Sequence, residues 1–478
     1  MQYSVVPYSE VNNQQNILRI DAEFYKPFFI EINKTVKSSP YKEFEKFIDL
    51  LTDYHANGYE TLKSHVELKD EVDDVLMVRT VNLENDNFTN NKYISLDAYN
   101  FLKKTKLFGG ELIINKIGSP GRTYLMPKLQ TPASLGMNQF LVRLKDNDYS
   151  CLLYVYFNSK YGKNIIEQRI TGAVPLSIDK VSIKKLLVPD FSKKFAIKIK
   201  KLFDQKSILE ESSKSLYQQS ENLLLEELGL KDWKPKYQLF YVKNYSDTQQ
   251  AERFDAEYFQ PQYDAIIEGI KNYKNGFDFA KKAISLNTKN YQPIDNKDYR
   301  YIELSNISQN GEINGFTQSK GEELPSRARR KVRKGDLILS SIEGSLDSIA
   351  MITSDYEDMI CSTGFFVVNS KNINAETALI FFKSKTGQLQ LKKGCSGTIL
   401  TAIGSDEFNK ILIPKIEQKV QDEIKEKINK MYLFKSQSKS LLEIAKKAVE
   451  MAIESNEEKA TKWIDQELEK LGVRLSSD

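Results

Sequence analysis

The sequence predicts a mixed α/β protein built as a tandem duplication. A globular domain is followed by a long helix, the pair then repeats, and the two long helices pair as an antiparallel coiled coil. Three observations predict this. Stretches of the chain repeat one another in the same order. Short Val- and Ile-rich runs, broken by Gly, Pro and Asn, fill each globular stretch. Each stretch ends at a proline, beyond which a long segment is nearly free of Pro and Gly.

The repeat is plainest in RIDAEFYKP, Arg19 to Pro27, which returns as RFDAEYFQP, Arg253 to Pro261, 234 positions on. Most other matches fall at a shift of 225. GGELIINKI (Gly109 to Ile117) lies over KGDLILSSI (Lys334 to Ile342), and FNSKYG (Phe157 to Gly162) over FKSKTG (Phe382 to Gly387). Gly172 lies over Gly397, LLVPD ending at Asp190 over ILIPK ending at Lys415, and SKSL recurs at Ser213 and Ser438. Matches in one order at one shift mark a duplication. The nine-residue offset of the opening phrase marks a difference in loop length.

In the first domain, 1–190, the runs VLMVRTV, GELIINKI, QFLVRL and KKLLVP predict strands. In the second, 231–414, YRYIELSNI, GDLILSSI, AMITS and GFFVVN do the same. Strands end at Pro189 and Pro414, and the helices are expected over 191–230 and 415–455. In the first helix Leu202, Leu209, Leu216, Leu223 and Leu230 recur every seventh residue, the spacing of a coiled-coil seam. Its companion seam is weaker, with Ile199 apolar but Lys206, Ser213 and Ser220 polar. In the second helix Ile424, Ile428, Met431, Leu442, Ala445, Val449 and Ala452 follow 4-3 spacing, interrupted by Lys435 and Ser438. Each helix could instead pack on its own globule, but two of matched length pack most simply against each other. At 1.5 Å per residue they would span roughly 55 Å, with a globule at either end. The tail, 456–478, reads as a charged helix with Trp463, Ile464 and Leu468 on one side, set either to dock a partner or to fray.

The bulk composition narrows the function. The chain has 478 residues, 40% hydrophobic and 28% charged, enough for two or more soluble domains. No apolar run predicts a membrane span. The start, MQYSVVPYSEVNNQQN, lacks the pattern of a secretory signal, so a cytoplasmic protein is expected. Cys151, Cys361 and Cys395 are too scattered for a disulfide framework, and His55 and His65 lack partners at ligand spacing, so no metal is expected. Net charge is only +4, but RARRKVRK, Arg327 to Lys334, places six basic residues in eight. By itself such a run is a solvated loop or edge.

Globule, long helix, globule, long helix resembles the specificity (S) subunit of type I restriction–modification systems. The residues that carry the resemblance are GDLILSS (Gly335 to Ser341) with its EGS turn, and ILIPKIEQKVQDEIKEKI (Ile411 to Ile428), similar to the family's Pro-x-x-Glu-Gln entry to a helix. The doubled RxDAE phrase is similar to segments that open some recognition domains. The first copy departs at PDFSKKFAIKI, which keeps Pro189 but lacks the Glu-Gln pair. The resemblance implies a chain without catalysis of its own. Each globule would be a target recognition domain reading one half of a split sequence in double-stranded DNA, and the paired helices would set the gap. It also implies partners: two DNA methyltransferase (modification) subunits docked on the helices, and a restriction/translocase subunit. S-adenosylmethionine, ATP and magnesium would belong to those partners, with no cofactor in this chain.

A duplex reader needs cations for phosphates and Arg, Lys, Asn or Gln for base edges, not a nucleophile. The sequence agrees: it has no FxGxG-like loop, no (N/D)PP(Y/F) and no Walker motif, and Asp295-Asn296-Lys297 is the kind of triad a highly charged chain yields by chance. Candidate DNA contacts lie in loops beside strand ends. In the first domain they are Arg79, Asn82, Lys116, Arg122, Asn138, Gln139, Arg169 and Thr171. In the second they are Arg327, Arg329, Arg330, Lys331, Arg333, Ser340, Ser341, Lys392 and Lys393. Each has solvated surface as its plain alternative. The Asp and Glu of the doubled phrase read as a structural lock at the helix–globule junction. Two rival functions remain: an interaction or scaffold protein of two globules on a coiled-coil spacer, and a self-sufficient methyltransferase.

Overall fold

The structure, a computed structural model, describes residues 4–8, 11, 19–54, 59–84, 91–308, 310–353, 358–397 and 401–475. His55 lies outside them. Contacts divide the chain into two units, Met1–Leu209 with Ser436–Asp478, and Glu210–Lys435.

Unit 1 holds β1 (Tyr41–Glu43), β2 (Ile48–Asp53), β3 (Val75–Val78), β4 (Lys92–Ile94), β5 (Lys106–Leu107), β6 (Leu112–Asn115), β7 (Thr123–Leu125), β8 (Ala133–Leu135), β9 (Gln139–Leu144) and β10 (Leu187–Pro189). They form an antiparallel sheet β2-β9-β6-β7, a mixed sheet β4-β3-β8-β5 with β3 parallel to β8, and the pair β1-β10. Apolar side chains of both four-stranded sheets meet in one cluster, with Leu76, Val78 and Leu135 from one and Ile113 and Leu141 from the other. Fully buried strands read as unbroken apolar runs rather than as alternation, which is why VLMV and LIIN are legible as strands.

Unit 2 repeats the plan. Its strands are β11 (Phe277–Phe279), β12 (Ile284–Asn287), β13 (Asp298–Ile302), β14 (Thr317–Lys320), β15 (Ala328–Lys331), β16 (Leu337–Ser340), β17 (Ile349–Met351), β18 (Met359–Ser362), β19 (Phe365–Ser370), β20 (Cys395–Ser396), β21 (Ala402–Ile403) and β22 (Leu412–Pro414). The orders are β12-β19-β16-β17, β14-β13-β18-β15 and β11-β22, with β13 parallel to β18. These three sheets match those of unit 1 in order and direction, and unit 2 adds the short pair β20-β21.

The duplication reaches individual hydrogen bonds. Lys116 N donates to Asn138 O at 2.8 Å, and Ser341 N to Gly364 O at 2.9 Å. Ile178 N donates to Lys116 O, and Ile403 N to Ser341 O. Arg79 N meets Asn82 Oδ1 at 2.9 Å, and Glu303 N meets Asn306 Oδ1 at 2.8 Å. The doubled phrase also has one conformation. Arg19 forks onto Asp21 at 2.6 and 2.7 Å, and Arg253 onto Asp255 at 2.7 and 3.0 Å. Each Asp then accepts a backbone N–H three residues on, from Phe24 and Tyr258. Pro27 and Pro261 each open a helix, Pro27–Lys37 and Pro261–Lys271, where a missing N–H costs nothing.

The long helices are Lys193–Glu227 and Gln418–Glu454. They pack together and run antiparallel: in unit 1 Ser192 N donates to Glu457 just past the second helix, and in unit 2 Ser213 Oγ donates to Met431 O at 3.2 Å. The seam differs from the heptad reading. Ser213, Ser220 and Ser438 are buried in it, whereas Leu216 and Leu223 are half-buried. Leu224 and Leu441 take the core places, with Leu442 half-buried. Small serines let the helices approach closely, and their hydroxyls bond to backbone carbonyls. Ser213→Leu, which would complete the apolar repeat, is therefore expected to destabilise unit 2 by about 1–3 kcal/mol through overpacking. Urea unfolding checks it; a gain in stability would refute close packing here.

The tail forms a helix, Glu457–Leu471, capped by Asn456. Within unit 1 it buries Ala460, Ile464 and Leu468, and Lys198 pairs with Asp465 at 2.6 Å.

Candidate nucleic-acid interface

In unit 1 one end of the sheets gathers most of the candidate residues. The Lys116–Asn138 and Ile178–Lys116 bonds bring together the 116–122 turn, the Asn138 turn and the strap 171–178, closed by the Thr171–Ser177 bridge. Arg79 and Asn82 follow β3 at the same end, tied by Gly136 N to Val78 O. Asn138 sits exposed with φ of 64°, a conformation asparagine tolerates. Thr171 and Arg122 are exposed too, and Arg122 pairs with Glu84 at 2.7 Å. A surface pair of this kind is weak and leaves the guanidinium free to exchange partners. Arg169 is half-buried, and burial pulls its guanidinium below the ordinary value.

Two candidates point inward. Asn82 is buried and caps the turn after β3. Gln139, opposite Asn115 on β6, is fully buried, and neither of its amide atoms has a hydrogen-bond partner among the described residues.

Asp53 anchors the cations of this end. Its carboxylate takes Lys180 Nζ at 2.8 Å and Lys116 Nζ at 3.3 Å. Burial raises its pKa, but the two lysines outweigh that and hold it below the ordinary 3.8. A depressed carboxylate stabilises the fold above its unfolded pKa and loses that contribution as pH falls through the folded value. Asp53→Asn is thus expected to cost about 1–2 kcal/mol at pH 7, with the difference from wild type shrinking as pH falls below the ordinary 3.8 and through the lowered folded value. Denaturation across an acid pH series checks this.

In unit 2 the middle of the basic run, Ala328–Lys331, is an edge strand, β15, last in its sheet, and Arg327, Arg333 and Lys334 lie in the turns that flank it. Lys331 lies over the Tyr291 ring at 3.9 Å, Arg330 bonds Thr288 O and Arg329 is half-buried. Arg327 and Arg333 are exposed. Charge on an edge also keeps foreign strands from adding, so the run has a folding role whatever it binds. Ser340 is fully buried, with its hydroxyl on Ser345 Oγ at 2.9 Å, and Ser341 Oγ donates to Gly364 O. Lys392 and Lys393 pair with Glu257 and Asp264 at 3.3 and 3.2 Å.

The common frame exposes a contrast. Where unit 1 has Arg79, Lys116 and Arg122, the same places in the hydrogen-bonded frame of unit 2 hold Glu303, Ser341 and Ser348. Sequence reasoning missed Asn306, the twin of Asn82, and also Asp53 and Lys180. A shift of 224 exposes the first; the other two meet Lys116 from distant strands and leave no local signal.

No family model matches the chain. No curated protein matches it either. Solved structures do. The similar structures are type I specificity subunits and a type I complex. One is the type I restriction–modification S subunit from M. genitalium, 12% identical, with 85% of this chain and 96% of that one covered at a TM-score of 0.38. A second comes from a study of complex assembly and conformational transition of the type I R-M system, 8% identical, covering 87% and 98% at 0.30. The third is the HsdS subunit from Thermoanaerobacter tengcongensis, 9% identical, covering 88% and 96% at 0.26.

Among the described residues no cluster of His, Cys, Asp and Glu could hold a metal ion, and no helix is long and apolar enough to cross a membrane. Burial pushes Cys151 and Cys395 up to about 12, and raises Cys361 as well. None has the lowered pKa of a reactive thiolate. His65 stacks on Phe101 with ring centroids 4.4 Å apart.

Proposed function

We propose that the chain is a non-catalytic specificity subunit that reads a bipartite, gapped target in duplex DNA, one half per unit. It directs methyltransferase and restriction subunits to that target, and its paired helices set the gap. The observation that carries this is the duplication with its divergence: one hydrogen-bonded frame occurs twice, and the loop positions it presents differ in charge. A protein that must read two different half-sites needs one scaffold and two sets of loop side chains. A symmetric scaffold would gain nothing from that difference. The motif resemblance points the same way, as does the absence from the sequence of the methyltransferase and Walker motifs.

The deciding experiment is sequencing of host or plasmid DNA for modified adenines, with the gene and its partners present or absent. A single motif in two parts with a constant gap is expected. Lys116→Ala with Arg122→Ala should weaken duplex binding, reduce the salt slope by about 1 per lost phosphate contact, and relax one half of the motif alone. A continuous motif would remove the role of the helices in setting the gap. Methyl transfer by the isolated chain would overturn the proposal.

A further inference from the structure

At one point of the shared frame the two units present opposite charges. The turn after β3 presents Arg79, and the same turn after β13 presents Glu303. In each an asparagine three residues on takes the backbone N–H, Asn82 in one and Asn306 in the other, so these bonds use the main chain of Glu303 and not its carboxylate. Phosphates repel a carboxylate, so on a surface that meets DNA it suits a place where it accepts a hydrogen bond from a base. Its surroundings supply a companion. β13 and β15 flank β18. Glu303 follows β13, Thr363 follows β18 and Arg327 precedes β15, and Thr363 N donates to Arg327 O at 2.8 Å. All three stand at one end of the sheet, the end where Ser341 N donates to Gly364 O. Glu303 and Arg327 start two strand spacings apart, roughly 10 Å, a gap that two long side chains can close. Both charges bear on one hydroxyl, that of Tyr301: burial raises this phenol, Glu303 raises it further and Arg327 opposes. Arg327 is exposed and Glu303 half-buried, and neither is in an ion pair among the described residues. Their neighbours in the basic run are placed elsewhere, with Arg330 on Thr288 O, Lys331 over the Tyr291 ring and Arg333 beyond the far end of β15.

We propose that Glu303 and Arg327 together read one G·C base pair in the half-site of unit 2. Arg327 donates its fork to guanine O6 and N7, and Glu303 accepts from cytosine N4. In the major groove a G·C pair shows two acceptors on one base and a donor on the other, the complement of a guanidinium beside a carboxylate. An A·T pair in the same orientation sets thymine O4, an acceptor, against the carboxylate and is rejected. Unit 1 carries Arg79 in this place, so the acceptor belongs to unit 2 alone. This rests on the reading of the chain as a DNA-reading specificity subunit and assigns one position of its target.

The test uses the full chain with its modification subunits, and duplexes carrying the motif found in modified DNA with each base pair replaced in turn. For the wild type, one G·C pair should lose about tenfold or more in affinity when A·T replaces it. Glu303→Gln offers an N–H to thymine O4 and should bring that A·T duplex to within about twofold of the original. Arg327→Ala should flatten the preference at the same pair, and at an exposed position it carries the test should Glu303→Gln fail to fold. Discrimination in the other half-site should stay unchanged in both variants. Weaker binding by Glu303→Gln with the G·C preference intact overturns the proposal, since the carboxylate would then serve only the fold. So do effects of the two variants at separate base pairs. A bipartite motif that keeps every position in both variants overturns this proposal and leaves the DNA-reading function standing; a wild-type complex that binds all the duplexes alike overturns both.

Discussion

Gly162→Ala is expected to destabilise unit 1 by about 3 kcal/mol or more, and Gly387→Ala to do the same to unit 2. These glycines end the repeated FxSKxG phrase, where one short helix stops and the next begins. A Cβ on Gly162 would stand 2.2 Å from Tyr156 O and 2.8 Å from Phe157 Cα. On Gly387 it would stand 2.4 Å from Phe381 O and 2.5 Å from Phe382 Cα. The obstacles are backbone atoms, so no rotamer change relieves them and the helix pair must spread. The junction carries a buried serine in each unit, Ser159 and Ser384, whose hydroxyls donate to Tyr156 O and Phe381 O. Spreading the helices would strain those bonds too. Denaturant unfolding of each variant checks this, with two transitions fitted separately because two units need not unfold as one. A loss below about 1 kcal/mol would mean the helices yield more easily than this packing implies.

Lys435→Met should cost about 2–4 kcal/mol and disturb the long loop after β13. Lys435 Nζ meets Glu312 Oε2 at 2.6 Å, with side chains 17% and 14% exposed. One turn earlier, Tyr432 OH donates to Gly311 O at 2.9 Å. Together they fasten this loop of unit 2 to the second long helix. Removing the lysine takes away the cation that offsets the Glu312 charge where that side chain is only 14% exposed, which is the main source of the cost. Lys435→Met with Glu312→Leu removes both charges and should recover most of the loss. A double variant no better than the single one would refute the ion pair as the cause. A lysine that interrupts a seam in one dimension thus has a specific task in three.

The sequence by itself determined the architecture. The 225-residue shift, the strands as buried apolar runs and the proline-bounded helices are all visible there, because period and punctuation are local properties that burial imposes residue by residue. It also located the loop end of unit 1, since Lys116, Arg122, Asn138 and Thr171 flank strand ends. Only the tertiary structure decided which polar residues face inward. Asn82, Gln139 and Ser340 resemble their exposed neighbours in composition, and their burial depends on partners contributed by distant strands. The serines of the helix seam, the edge position of the basic run and the Asp53 anchor depend on such non-local pairing as well.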